Sequence, residues 1–424
     1  MLRVLHTSDW HLGHSLFHKD RRLEHSHFLD WLLALLRSQE IDALIVAGDI
    51  FDTVAPPNYA LALYYDFLRR LVSDTPCRQA VIIGGNHDSA SSLHAPRELL
   101  KVFNVHVIGS PDLAQPDNDL VVLHDRHGQP AAVVAAVPFL RERDVRRAQA
   151  GESAIDKNQA YLNGVADYYS RICRLGRDKI AHLGGSSAQL PLIATGHLFA
   201  AGGEISDGER EVAVGNLGGV GAASFAAGFN YLALGHLHKP QPVSGPCPIR
   251  YSGSPIPLSF SEASGPKAVV MLHFEAGETT PQITNIPVPL WQPLQTVRGA
   301  WPVIEEFFLG LDDAPDGVGP LWLEIQLETD VWGGSVQERI AALAAERRVE
   351  VLAIRNCQRL LPRLADSGDE TMEQLSALTP QEVFVRRLEL AADLGAEDRA
   401  ALLIRYGQVV EAASVAMEGA AGED

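Results

Sequence analysis

An aspartate and a histidine two residues apart, in Thr7-Ser8-Asp9-Trp10-His11-Leu12-Gly13, follow directly on a short apolar run and supply half of a metal pocket. Four further loops repeat this arrangement. Gly48-Asp49-Ile50-Phe51-Asp52 follows Leu44-Ile45-Val46, and Gly84-Gly85-Asn86-His87-Asp88 follows Val81-Ile82-Ile83. His197 follows Leu192-Ile193-Ala194-Thr195-Gly196, while His236 and His238 follow Leu232-Ala233-Leu234-Gly235. Taken singly, an Asp after a Gly is more often a turn or cap residue than a ligand. A lone His is likewise more often a satisfied polar group. Five strand-then-polar loops in one chain outweigh those readings.

Together Asp9, His11, Asp49, Asn86, His197, His236 and His238 offer more oxygen and nitrogen donors than one tetrahedral ion takes. They suit two divalent ions sharing a bridging carboxylate. Such a pair, about 3.5 to 4 Å apart, activates water and neutralises charge on phosphoryl oxygens, so the expected reaction is hydrolysis of a phosphate ester. His87 has no evident metal to bind. An imidazole there, with an unperturbed pKa of about 6.5, is suited to stabilise the transition state or protonate the leaving oxygen. Asp52 is the expected orienting partner of His87, ahead of Asp88, although either can simply cap a helix.

These loops must be positioned by a layered α/β domain. Leu2 to His6, Ala43 to Val46, Ala80 to Ile83, Ala132 to Val137, Leu192 to Ala194, Tyr231 to Leu234 and Ala268 to Phe274 read as strands. Between them Arg22 to Arg37, Tyr59 to Val72 and Lys157 to Arg174 carry apolar residues at helical spacing. The polar loops sit past the C-terminal ends of strands, where α/β folds build their sites.

The chain has 424 residues and is 46% hydrophobic, so two or three domains with substantial cores are expected. No apolar run approaches the ~20 residues of a membrane span, and Leu2 enters strand-like sequence with no signal-peptide pattern, which points to the cytoplasm. Cys77, Cys173, Cys247 and Cys357 show no CxxC spacing and read as free thiols. A net charge of -18 argues against a protein that coats nucleic acid unaided. Any DNA role then rests on local patches, metal ions or a partner. The densest basic run, Arg141, Arg143, Arg146 and Arg147, is interleaved with Glu142 and Asp144 and reads equally as a solvated face or a phosphate contact.

The five loops resemble the motifs of the calcineurin-like metallophosphoesterases. That resemblance implies a β-sandwich flanked by helices. It implies one ion held by Asp9, His11, Asp49 and His238 and the other by Asp49, Asn86, His197 and His236, with Asp49 bridging. All seven positions are filled. Relatives in this superfamily act on proteins, cyclic nucleotides, lipid precursors and nucleic acids. Two further segments are similar to the SbcD family of nuclease subunits from bacterial SbcCD complexes. They are Tyr251-Ser252-Gly253-Ser254-Pro255-Ile256-Pro257-Leu258-Ser259-Phe260-Ser261-Glu262 and Ala194 to Phe199, the latter followed by Asp207 and Arg210. This implies a Mn2+-dependent DNA nuclease, both double-strand exonuclease and single-strand or hairpin endonuclease, working with an SbcC-like coiled-coil ATPase in DNA end processing, repair and recombination. The alternatives are a nucleotide or small-molecule phosphodiesterase and a non-catalytic scaffold on the same fold.

Residues 1–287 are therefore expected to form the phosphoesterase domain. Residues 288–363 read as a small α/β capping domain, with strands Leu294 to Val297, Leu321 to Leu327 and Val349 to Ile354 and helices Pro302 to Leu309 and Gln337 to Glu346. Residues 364–424 read as an acidic linker followed by C-terminal helices. Thr379 is a plausible cap, with Pro380 at the first helical position and Val383, Phe384, Leu388 and Ala391 on one face. By the resemblance these helices dock on the ATPase coiled coil; the alternative is that they fold back on the main domain. Helices from Tyr59 to Val72 and after His94 are the expected face of a homodimer, although their apolar residues read equally as core.

Overall fold

The computed structural model describes residues 1–147, 151–184, 189–204, 219–311, 319–329, 334–345 and 347–357, with isolated positions beyond. Met1–Gln358 form one compact unit and Arg359–Asp424 a second. The acidic linker and the partner-binding helices expected at 364–424, like Asp207 and Arg210, lie outside the described residues.

Two six-stranded sheets form the body of the first unit. One orders its strands Gln282–Pro287, Ala268–Phe274, Leu2–Thr7, Ala43–Ala47, Ala80–Ile83 and Val105–Ile108, and the last four run parallel. The other orders them Gln241–Val243, Ile249–Tyr251, Tyr231–Gly235, Leu192–His197, Pro130–Ala135 and Leu120–His124. Side chains alternate across each strand, and that alternation builds the layers. Val4, Ile45, Val81 and Ile83 face Val134, Ile193, Tyr231 and Ala233 between the sheets. Leu5, Leu44, Val46 and Ile82 turn the other way, onto helices Arg22–Ser38 and Asn58–Asp74. Helix Ala154–Gly184 covers the outer face of the second sheet through Val165, Tyr169, Ile172 and Ile180.

Each expected strand is present, with two shifts. Leu192–His197 runs three residues further than its apolar run, which makes His197 the last strand residue rather than a loop residue. The strand expected at Ala132 to Val137 lies at Pro130–Ala135. The two sheets also contain strands that the sequence does not announce, among them Val105–Ile108 and Gln282–Pro287. These are short or exposed, and their sequences interleave His, Asn and Pro with the apolar residues.

The small domain is a parallel sheet, Leu294–Gly299, Leu321–Leu327 and Val349–Asn356, with helices Trp301–Leu309 and Gly334–Ala344 as the crossovers. It has its own core around Ile304, Phe308, Leu323, Ile325 and Ile340. Its seam with the large domain is anchored on the hairpin Ser15–Asp20 and the residue after it. Lys19 pairs with Glu350, and buried Arg21, ion-paired with Glu24, lies with its guanidinium carbon 5.5 Å from the Trp322 ring. The hairpin begins four residues after His11, so the stretch that meets the small sheet follows directly on the first polar loop.

Candidate metal centre

All five loops meet at one end of the sandwich. The first two form a short ladder beyond their parent strands: Asp9 N donates to Gly48 O, His11 N to Asp49 O and Leu12 N to Ile50 O, at 2.9 to 3.0 Å. The bends that aim the side chains inward place Asp9, His11, Asp49 and His236 at positive φ (52°, 46°, 49° and 103°). Non-glycine residues adopt such angles at a cost of order 1–3 kcal/mol each, and clusters of them mark functional sites. Two glycines make the approach possible. A Cβ on Gly48 would lie 2.3 Å from His197 Nδ1, and one on Gly85 would lie 2.1 Å from Asp49 Oδ1.

The donors converge. Asp9, His11 and His238 bring ligand atoms within 4.8 Å of one another, and so do Asp9, Asp49 and His197. Asp49 Oδ2 lies 3.6 Å from His11 Nε2 and 3.2 Å from His197 Nε2. Asn86 Oδ1 lies 2.9 Å from His197 Nε2 and 3.1 Å from His236 Nδ1. All seven expected ligands are thus brought into one cluster, with Asp9 as well as Asp49 common to its two halves.

The chemistry of the set fits divalent cations. His11 Nε2 is buried with no hydrogen-bond partner and faces a carboxylate oxygen. His197 Nδ1 donates to the Ala47 carbonyl at 2.9 Å, which leaves Nε2 among oxygens that only accept. Burial raises the Asp9 carboxyl above its ordinary pKa. Burial would raise Asp49 too, but His197, His11 and His87 outweigh it and hold Asp49 well below the usual carboxylate range. The pKa of His197, lowered by burial and raised more strongly by Asp49, lies at about 9, while burial and His197 push His236 down to about 3. Two buried carboxylates among histidine lone pairs call for positive charge.

Around the donors lies a set of orienting contacts. The expectation that the Asp52 carboxylate orients His87 does not hold. Its Oδ1 accepts from His11 Nδ1 at 3.1 Å and His14 Nδ1 at 3.0 Å, and only the Asp52 backbone carbonyl meets His87 Nδ1, at 2.8 Å. The reason is geometric: Asp52 N donates to Leu12 O, which draws its side chain to the first loop. Asp88 is buried and accepts from the backbone N–H groups of Ile50, Phe51 and Gly85, tying the second loop to the third. Burial, followed by the charge of Asp49, pushes its carboxyl up to about 6.

Several supporting residues were not singled out from the sequence. Ser8 bonds Asp9 and Ser252. Glu262 accepts from His238 Nδ1 at 3.0 Å and from Lys267 Nζ at 2.6 Å. His14 joins Asp52 to the Leu258 carbonyl. Glu262 and Ser252 belong to the 251–262 segment whose pattern stood out. Ser8, His14 and Lys267 gave no signal, because nothing in their spacing distinguishes them from surface residues. Of the basic run, Arg146 is engaged by Glu142 and Glu152 at 2.8 and 3.0 Å.

A family model for calcineurin-like phosphoesterases matches residues 2–240, the span that holds all seven donors. The chain belongs to the calcineurin-like phosphoesterases. Members of this family use divalent metal ions, in keeping with the donor set. A second model, for the type 5 capsule protein repressor C-terminal domain, matches residues 290–391 of this phosphoesterase. The D subunits of SbcCD nucleases are similar to it over most of its length. The one from Escherichia coli K12 is 39% identical over 396 residues, 92% of this chain and 93% of its own. That from Rhodobacter capsulatus is 34% identical over 393 residues, 90% of this chain and 93% of its own. No helix among the described residues of the phosphoesterase is long and apolar enough to cross a membrane. Its four cysteines are free.

Proposed function

We propose that this phosphoesterase is the nuclease subunit of an SbcCD-type complex, a Mn2+-dependent enzyme that hydrolyses DNA phosphodiesters from duplex ends and at hairpins or single strands. The observation that carries the reading is the convergence of seven donors, two of them buried carboxylates, with partly exposed His87 beside them. Asp9, His11, Asp49 and His238 would hold one ion, and Asp49, Asn86, His197 and His236 the other. Bound there, the ions supply Lewis acidity and charge neutralisation for the phosphoryl group.

The chain's own residues do the rest. Asp88 fixes the second and third loops, so Asp49 and Asn86 keep their separation. His87 N donates to Asp49 Oδ1 at 2.9 Å, and its Nδ1 donates to the Asp52 carbonyl, which only accepts. Nε2 is then the atom left to exchange a proton with the leaving oxygen, a role typically worth 10²–10⁴-fold in rate.

In the same reading residues 1–287 are the nuclease domain and residues 288–363 cap it. The C-terminal helices bind an SbcC-like coiled-coil ATPase, the nuclease domain pairs as a homodimer, and the complex acts in the cytoplasm on DNA ends during repair and recombination. The ATPase would supply basic surface that a chain of net charge -18 lacks.

The test is hydrolysis of a labelled DNA hairpin and a blunt duplex against cyclic nucleotides, each with Mn2+, with and without the ATPase partner. DNA cleavage supports the reading. Cleavage of cyclic nucleotides alone would replace it with a small-molecule phosphodiesterase.

A further inference from the structure

Two of the donor histidines are held by carboxylates and two are not. His11 Nδ1 donates to Asp52 Oδ1 at 3.1 Å and His238 Nδ1 to Glu262 Oε1 at 3.0 Å. By contrast His197 Nδ1 rests on a backbone carbonyl, and His236 Nδ1 faces Asn86 Oδ1, a fellow donor, with no carboxylate behind it. A carboxylate behind a ligating imidazole fixes its tautomer and raises its basicity, and its loss typically costs 10–100-fold in metal affinity.

The two carboxylates are also joined to each other, and one residue makes the join. His14 Nδ1 lies 3.0 Å from Asp52 Oδ1 and its Nε2 lies 2.9 Å from the carbonyl oxygen of Leu258. The N–H of the same Leu258 donates to Glu262 Oε2 at 3.2 Å. A continuous path therefore runs from His11 through Asp52, His14, Leu258 and Glu262 to His238. Its ends meet where the His11 and His238 rings pack edge to face, 5.1 Å between centroids. His14 is the member that crosses from the first loop to the 251–262 segment, and it is mostly buried. Its backbone is also fixed on the first loop, with His14 N donating to His11 O at 2.9 Å.

We propose that His14 is a positioning residue for one ion of the pair, the ion taken by Asp9, His11 and His238. It acts by joining the carboxylates behind two of that ion's ligands into one hydrogen-bonded chain, whose ends meet where the His11 and His238 rings touch. This rests on the two-ion reading of the site. It predicts an asymmetry: disturbing His14 weakens one binding step and spares the other, whose histidines make no contact with these carboxylates.

The experiment is calorimetric titration of the full chain with Mn2+, alone, for wild type, His14→Ala and His14→Gln. Anomalous scattering from crystals of each then locates the ions. Wild type is expected to bind two. His14→Ala should weaken one step ten- to hundredfold and leave the other within about twofold. The anomalous peak beside His11 and His238 should be the one depleted, and the melting temperature of the chelator-treated protein should be unchanged. His14→Gln should recover only part of the affinity, because its single NH2 group can donate to the Asp52 carboxylate or to the Leu258 carbonyl but does not span both. Equal affinities in wild type and His14→Ala would overturn the proposal and leave the two-ion site standing. So would equal weakening of both steps with a lowered melting temperature, which marks a merely structural residue. A wild-type protein that binds no Mn2+ would overturn both this proposal and the functional reading.

Discussion

His87 hangs from the main chain of Asp52, its Nδ1 2.8 Å from that carbonyl oxygen, while the Asp52 carboxylate points away to His11 and His14. One residue therefore holds His87 with its backbone and His11 and His14 with its side chain, and mutation can separate the two.

His87→Gln should lower the rate of DNA cleavage about 10²–10⁴-fold with two Mn2+ still bound, since no donor is removed. Asp52→Ala should do the reverse, weakening Mn2+ binding about 10–100-fold while activity at saturating metal largely returns. Calorimetry and single-turnover cleavage on both variants check this. A His87→Gln protein that has lost its metal would place His87 among the ligands.

Gly85→Ala is expected to disable metal binding without replacing a ligand. The added Cβ would lie 2.1 Å from Asp49 Oδ1 and 2.4 Å from Asp49 N, and Asp49 is buried and tied by its carbonyl to His11 N and by Oδ1 to His87 N. Overpacking of this kind costs typically 1–3 kcal/mol. Chemical denaturation and Mn2+ titration of the variant measure the two effects. Normal affinity would show that the loops yield more easily than their hydrogen bonds imply.

These cases show why the site was largely legible in the sequence and its support was not. Asp9, His11, Asp49, Asn86, His236 and His238 lie in loops that each follow an apolar run, and His197 ends such a run, so local pattern pointed to them. Asp52 and His87 are close in space for a reason no spacing encodes, because the direction of the Asp52 side chain is decided by the bond from its N–H to Leu12 O, 40 residues earlier in the chain. Lys267, just before strand Ala268–Phe274, reaches the His238 carbonyl 29 residues away, a contact no local spacing encodes. Among the elements, the long apolar strands were plain and the short edge strands were not, since three or four mixed residues carry too little periodicity.

Removal of the ions should destabilise the protein. Two buried carboxylates side by side gain a counter-charge from bound metal, and at a hundred times its dissociation constant a single ion adds about 2.7 kcal/mol. The melting temperature should rise with Mn2+ and fall with chelator, and the rise should be absent in Asp49→Ala. An unchanged transition in wild type would speak against any metal at this cluster.

Far from the site, Asp119 gives a pH signature of opposite sense to a salt bridge. It is buried, and accepts from Tyr168 OH at 3.2 Å and Asp112 N at 2.9 Å. Burial pushes its carboxyl up to about 6 from an ordinary 3.8. The folded state therefore holds the proton more tightly than the unfolded state. Stability relative to Asp119→Asn should fall as pH rises from about 4 to about 6, by about 3 kcal/mol in all, and then level off. Urea titrations of both proteins across that range test the sign, and a difference that grows in favour of wild type would refute it.

The ladder between the first two metal loops has a consequence for hydrogen exchange. Because the amides of Asp9, His11, Leu12 and Asp52 donate to backbone carbonyls beyond the last paired residues of strands Leu2–Thr7 and Ala43–Ala47, they belong to the sheet in all but name. They should exchange with solvent deuterium as slowly as the strands themselves, with metal or without it. Cations arriving there find a cradle already frozen, and the affinity they show is spent little on ordering the chain around them.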